Sequence, residues 1–289
     1  MPDTYAWPVA GTAAARRTSI VRGLALACHP APALAVTLVA VLLAAAVGLS
    51  GARVLLLGLA VGAGQLSIGW SNDRIDAARD LVAGRRDKPA ALGAVPLGVL
   101  GTASGIALAA AVVLSLALGV RPGVAALLLV TAGWAYNLGL KSTVWSGAAY
   151  LVGFGALPAV PYLALPGSPW PPWWAVATGA LLGFGAHFAN VLPDLRDDAA
   201  TGVRGLPQRM GRLGSVLTLA CSLTAGSLVL AWGPSGNALA LSITVTCVGI
   251  AGAGAAAVLA VRRPDSDAAF RVTLVLALLD VVLLLVLAG

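Results

Sequence analysis

Residues 54–80 read VLLLGLAVGAGQLSIGWSNDRIDAARD, an uncharged apolar run that ends in Asn72, Asp73, Asp76 and Asp80. The run from Val54 to Ser71 is long enough to cross a hydrocarbon layer as a helix. Helix is the expected form, because extended backbone in lipid leaves its polar groups unpaired. Asp73, Asp76 and Asp80 are spaced i, i+3, i+7, so a helix continued through them lines all three on one face, with Asn72 at its edge. All eleven acidic residues of the chain are aspartates, and seven lie in two clusters: Asp73, Asp76, Asp80 and Asp87 in one, Asp194, Asp197 and Asp198 in the other. Charge beside a bilayer is costly and is placed where it binds something. Clustered carboxylates are the ligands of a hard cation such as Mg²⁺, which arrives with phosphate oxygens.

The rest of the chain sets the class. A mean hydropathy of +0.93 over 289 residues, with apolar stretches recurring throughout, predicts an all-α, polytopic membrane protein. About nine spans are expected, near 31–49, 54–71, 96–119, 122–140, 145–165, 173–192, 213–232, 237–261 and 269–287. They do not alternate polar and apolar residues as barrel strands would. Residues 1–22 read as a cytoplasmic N-terminal tail rather than a cleaved leader, and 23–289 as a single transmembrane domain around a central cavity. With the N-terminus in the cytoplasm, sixteen of the eighteen Lys and Arg fall in cytoplasmic segments, and only Arg53 and Arg121 do not. Both aspartate clusters then face the cytoplasm and the C-terminus lies outside. The net charge of +7 is therefore topological and implies no nucleic-acid partner. Cys28, Cys221 and Cys247 have no paired spacing and read as small apolar residues. Trp170, Trp173 and Trp174 beside Pro166-Gly167-Ser168-Pro169 read as interfacial anchors.

Asn190, Asp194 and Asp198 are spaced i, i+4, i+8, so an unbroken helix would line them as a second acidic row. Two such rows repel each other unless something bridges them. Opposed across Mg²⁺ and a diphosphate they become a clamp, with Arg79, Arg85, Arg86, Lys88, Arg196 and Arg204 as candidates for the outer phosphate oxygens. The plainer alternative is that the aspartates only salt-bridge the arginines around them. Two clusters on one side of a chain with no Glu weigh against it.

The pattern NDxxDxxxD at 72–80, followed by DxxxD at 194–198, resembles the UbiA superfamily of intramembrane prenyltransferases. So do the nine expected spans and the tract Gly202, Gly205-Leu206-Pro207. The resemblance implies two Mg²⁺ ions held by Asp73, Asp76, Asp80, Asp194 and Asp198. These bind an isoprenyl diphosphate, whose ionisation leaves an allylic cation for a small lipophilic or aromatic acceptor to attack. It implies diphosphate contacts from Asn72, Arg79, Arg85, Lys88, Asn190, Arg196 and Arg204. Tyr136, Asn137 and Lys141 match the residues that family members carry after the fourth span; Lys141 would pair with diphosphate and Tyr136 would shield the cation by its ring face. His187, two turns before Asp194, would serve the acceptor or else be a hydrogen-bonded core histidine. His29 reads as a headgroup-level residue. The chain departs from the pattern at Arg85-Arg86-Asp87-Lys88-Pro89, where many members have Arg-Thr and Arg-Pro pairs, and at Asp197, an extra carboxylate beside Asp198.

Three rival classes share part of this pattern. Asp76-Ala77-Ala78-Arg79 imitates part of the CDP-alcohol phosphotransferase signature, but Ala77 stands where that signature needs Gly. A transporter would place its polar site nearer the bilayer midplane. A membrane terpene cyclase would ionise the same donor and need no acceptor. The expectation is a transferase in the cell (inner) membrane with its site facing the cytoplasm.

Overall fold

The structure, a computed structural model, describes residues 13–85, 88–236 and 238–287, and side chains between 20 and 283 within those segments. Arg86 and Asp87 of the first motif's loop, residues 1–12 of the expected tail and Asn237 lie outside the described residues. Every regular element among them is helical. In chain order they are α1 (Ala13–Ala27), α2 (Pro30–Ala46), α3 (Gly51–Val82), α4 (Leu97–Ala117), α5 (Val120–Asn137), α6 (Ser146–Ala156), α7 (Ala159–Ala164), α8 (Trp173–Val191), α9 (Leu195–Ala200), α10 (Leu206–Trp232), α11 (Leu239–Arg262) and α12 (Ala268–Leu287).

Helices occupy each expected apolar stretch, but the count of nine spans is not reproduced. Among the described residues six helices or helix pairs are long and apolar enough to cross a membrane, and seven if a bent pair is one span. The bent pair is Ile20–Ala27 with Pro30–Ala46, turned by 59°. Pro30 cannot donate to the preceding turn, and His29 takes a left-handed conformation (φ 54°), so the chain turns there and reopens as a helix at Pro30. Leu157-Pro158 likewise divides the expected fifth span into α6 and α7. Within the expected tail, α1 begins at Ala13.

α2, α3, α5, α6, α8 and α12 form a ring, which closes where α12 packs on α2; α4, α10 and α11 back it from outside. Many outward residues are large and apolar: Leu34, Leu55, Ile106, Val113 and Leu217 are exposed. That inverts the soluble pattern and suits a lipid surround. Lipid is as apolar as the side chains, so close packing and internal polar bonds hold the bundle. Ser67 on α3 joins three helices: its carbonyl accepts from Ser104 Oγ of α4 and its hydroxyl accepts from Trp134 Nε1 of α5, each at 2.9 Å. Gly69 lets α3 touch the α1–α2 bend, since a Cβ there would lie 2.5 Å from the Cys28 carbonyl oxygen.

Candidate active site

α3 runs on unbroken through the first motif. Asp73, Asp76 and Asp80 share its inner face, at 1%, 6% and 4% exposure, so the one-face reading holds and the carboxylates are buried rather than solvated. The second motif differs from expectation. Pro193 lacks an N–H, α8 ends at Val191, a 3-10 turn spans Leu192–Asp194, and α9 starts at Leu195. Asn190, Asp194 and Asp198 therefore do not form one continuous helical row.

Cations from distant segments hold the carboxylates. Lys88 Nζ lies 3.2 Å from Asp73 Oδ1 and 3.0 Å from His29 Nε2, while Asp73 Oδ2 accepts from the Ala90 N–H at 3.3 Å. Lys141, in the 3-10 turn after α5, pairs with Asp76 Oδ1. Arg79 (2.9 Å) and Asn72 Nδ2 (3.0 Å) both reach Asp76 Oδ2. Burial pushes the Lys141 ammonium below its usual range, and the Asp76 carboxylate opposes that shift. Arg79 also stands 3.9 Å from Asp80 Oδ1. Arg85 ties the two motifs together, donating to Asp194 Oδ1 at 2.8 Å, and Gln208 donates to Asp198 Oδ2 at 2.7 Å. Asn72 donates to Asn137 Oδ1 at 3.1 Å, and Asn137 is fixed in turn by Ile68 O and Ser71 Oγ, each at 2.9 Å. Arg196 and Arg204 are exposed, and Arg196 lines a surface groove with Arg85, Asp194 and Asp197.

Beside these groups lies a cavity of about 230 Å³. Asn72, Asn137, Asn190, Tyr136, Gln65 and His29 supply its polar wall, and its remaining wall is largely apolar, including Val36, Leu129, Phe154 and Leu182. Tyr136 meets Tyr150 edge-on, with ring centroids 5.4 Å apart, and Asn190 Nδ2 lies 3.5 Å from the Tyr150 hydroxyl. His187 is fully buried behind this wall, its Nε2 3.0 Å from Ser146 Oγ, which also accepts the Leu206 N–H at 2.9 Å.

Sequence reasoning missed His29, read as a headgroup-level residue but set against Lys88 and the cavity. It missed Tyr150 and Gln65 as well; Gln65 lies seven residues, two helical turns, before Asn72, and that spacing was a usable signal. The expected facing carboxylate rows are not seen: no group of three or more His, Cys, Asp or Glu among the described residues is gathered closely enough to hold a metal ion. The donor chemistry nevertheless fits a hard cation, being carboxylate and amide oxygens throughout. Asp73 Oδ1, buried and ion-paired but without a hydrogen-bond donor, has coordination capacity to spare.

A helical membrane bundle with two aspartate motifs beside a largely apolar cavity defines a class, the multi-pass membrane proteins with a buried acidic site. The sequence matches the UbiA prenyltransferase family over residues 33–279, and the chain belongs to that family. No curated protein is significantly similar to it in sequence. Among solved structures it is similar to a UbiA homologue from Aeropyrum pernix K1 (TM-score 0.71, 17% identity, 89% of this chain and 97% of that one). It is similar also to a homologue from Archaeoglobus fulgidus bound to GPP and Mg²⁺ (0.70, 13%, 90% and 97%). A structure of digeranylgeranylglyceryl phosphate synthase matches with TM-score 0.65 and 18% identity over 95% and 98% of the two chains. At such identities these likenesses establish the fold. The chain is thus a multi-pass membrane protein of a prenyltransferase family.

Proposed function

We propose that the chain transfers an isoprenyl group from an isoprenyl diphosphate to a small lipophilic or aromatic acceptor, with Mg²⁺ and release of diphosphate. The observation that carries this reading is the meeting of two chemistries: cation-held aspartates from both motifs stand beside a largely apolar cavity in the bundle. A charged head and a hydrocarbon tail need that combination. The Archaeoglobus fulgidus homologue, bound to GPP and Mg²⁺ and also to DMAPP and Mg²⁺, supports it.

Asp73, Asp76 and Asp80 of α3, with Asp194 and Asp198, would hold the metal, two ions by family resemblance. Bound there, Mg²⁺ neutralises carboxylate and phosphate charge together and makes diphosphate a better leaving group. Lys88, Lys141, Arg79 and Arg85, each paired with an aspartate, turn to phosphate oxygens as the head enters. Asn72 and Asn190 orient the head from the cavity wall, and Arg196 and Arg204 extend the positive rim. Tyr136 presents its ring to the allylic cation. The apolar wall excludes water, so that the acceptor rather than hydroxide captures the cation. His187 sits behind Tyr136 and Tyr150 and would act on the acceptor through that aromatic wall. We place residues 23–289 in one transmembrane unit of the cell membrane, with the aspartate end in the cytoplasm.

A second reading, a terpene cyclase, rests on Tyr136, Tyr150 and Phe154 at the cavity, rings that can shelter a cation quenched by its own double bonds. One assay separates the readings: diphosphate release from geranyl, farnesyl and geranylgeranyl diphosphates, with Mg²⁺ or EDTA, with and without aromatic acceptors. Release that needs Mg²⁺ and rises with one acceptor is expected. Release without acceptor, giving a terpene, would favour the cyclase. No release from any donor would overturn both and favour a transporter.

A further inference from the structure

Gln65 belongs to neither motif. It sits on α3 seven residues before Asn72, about 10.5 Å deeper along the same face, and lines the main cavity. It is half-buried, its amide forms no hydrogen bond among the described residues, and neither amide atom is sealed from solvent. Polar groups elsewhere on the cavity wall are already engaged. Asn72 Nδ2 donates to both Asp76 Oδ2 and Asn137 Oδ1, and Asn137 Nδ2 donates to Ile68 O and Ser71 Oγ. Cys28 Sγ donates to Ala25 O, and Thr273 Oγ1 to Ala269 O. No Lys, Arg or Asp among the described residues lines the cavity. The cations of the site, Arg79, Arg85, Lys88 and Lys141, each hold an aspartate and on the proposed mechanism turn to the diphosphate.

An open amide exchanges hydrogen bonds with water, and a ligand that covers it must replace them or leave a polar group unpaired. An isoprenyl tail has no atom to offer. The tail is better laid along Phe154, Leu182 and Leu274, which leaves the Gln65 wall for the second substrate. A carboxylate or phosphate there would lose its water and meet no cation, which costs more than one amide returns. A hydroxyl or carbonyl costs less to desolvate, and a primary amide, which both donates and accepts, can pair with either. We propose that the acceptor is an uncharged lipophile bearing a hydroxyl or carbonyl, and that Gln65 is the specificity-determining residue that holds this group. This rests on the prenyl-donor reading of the site.

The test uses full-length purified protein with Mg²⁺ and the tightest-bound of geranyl, farnesyl and geranylgeranyl diphosphates. Three acceptors share one phenol ring and differ in a single group: para-hydroxybenzyl alcohol, para-cresol and para-hydroxybenzoate. Equilibrium binding and kcat/KM are measured for each in the wild type, Gln65→Met and Gln65→Arg. The wild type should favour the alcohol over the cresol by about tenfold, the effect of one amide hydrogen bond, and should take the benzoate least. Gln65→Met, unbranched and apolar, should bring the alcohol-to-cresol ratio to within about twofold of unity. Gln65→Arg should reverse the order and favour the benzoate. Donor binding in each variant shows that the site is folded, and if Gln65→Met does not fold, Gln65→Leu supplies the same ratio. A wild type that prefers the benzoate, an alcohol-to-cresol ratio unchanged in the apolar variant, or binding of donor but of none of the three acceptors would each overturn the proposal. Diphosphate release that no acceptor raises would sink the transferase reading, while the binding ratios still judge Gln65. No binding of any donor would overturn both.

Discussion

Lys141 shows how much a single side chain can carry. It is 9% exposed, pairs with an aspartate 6% exposed, and stands outside the spans in the turn after α5. Breaking an isolated buried pair costs about 3–5 kcal/mol. Asp76 keeps Arg79 and Asn72 on its other oxygen, so the loss here is smaller. Lys141→Ala should lower stability by about 1–3 kcal/mol, the cost of one under-satisfied buried acceptor, read as thermal unfolding in detergent. On the proposed mechanism it should also raise the donor KM, and an unchanged KM would remove Lys141 from the donor site. The position of this lysine at a short junction was legible in sequence. Its partner, 65 residues away, was not.

At the scale of elements, breaks matter as much as helices. Pro30 and Pro193 each stop a helix beside the site, the first placing His29 near Lys88, the second turning Asp194 toward Arg85. The first bend is packed against α3 at Gly69. Gly69→Leu would drive a Cβ to 2.5 Å from the Cys28 carbonyl oxygen and 2.7 Å from its carbonyl carbon. Backbone cannot yield as a side-chain tip does, so a loss of about 1–3 kcal/mol or more is expected. Gly105 of α4 faces open space, and Gly105→Ala should stabilise by about 0.5–1 kcal/mol through helix propensity. Thermal unfolding of the two variants side by side checks both signs; equal melting would mean that the α3 contact does not hold the bend.

Over the whole molecule, the distribution of cations predicts an orientation that labelling can test. α11 separates the loop at Ser235 from that at Arg263 by its 24 residues, about 36 Å. In a background with Cys28, Cys221 and Cys247 replaced, Ser235→Cys should react with an impermeant maleimide on intact cells. Arg263→Cys should react only after the membrane is opened. The reverse pattern would put the aspartate motifs outside and end the cytoplasmic assignment.

Sequence alone determined the helical membrane class and the shared face of Asp73, Asp76 and Asp80, because span length and helical period are local properties of the chain. It misjudged the second motif, where Pro193 overrides the spacing of Asn190, Asp194 and Asp198, and among the described residues length and hydropathy support six or seven of the nine expected spans. Tertiary structure alone decided which cation meets which carboxylate: Lys88 with Asp73, Lys141 with Asp76, Arg85 with Asp194. It alone packed α12 on α2 and set Asp280 of α12 against Ser227 of α10. Like charges are interchangeable along a chain, and only the packing of helices distant in sequence makes one of them a partner.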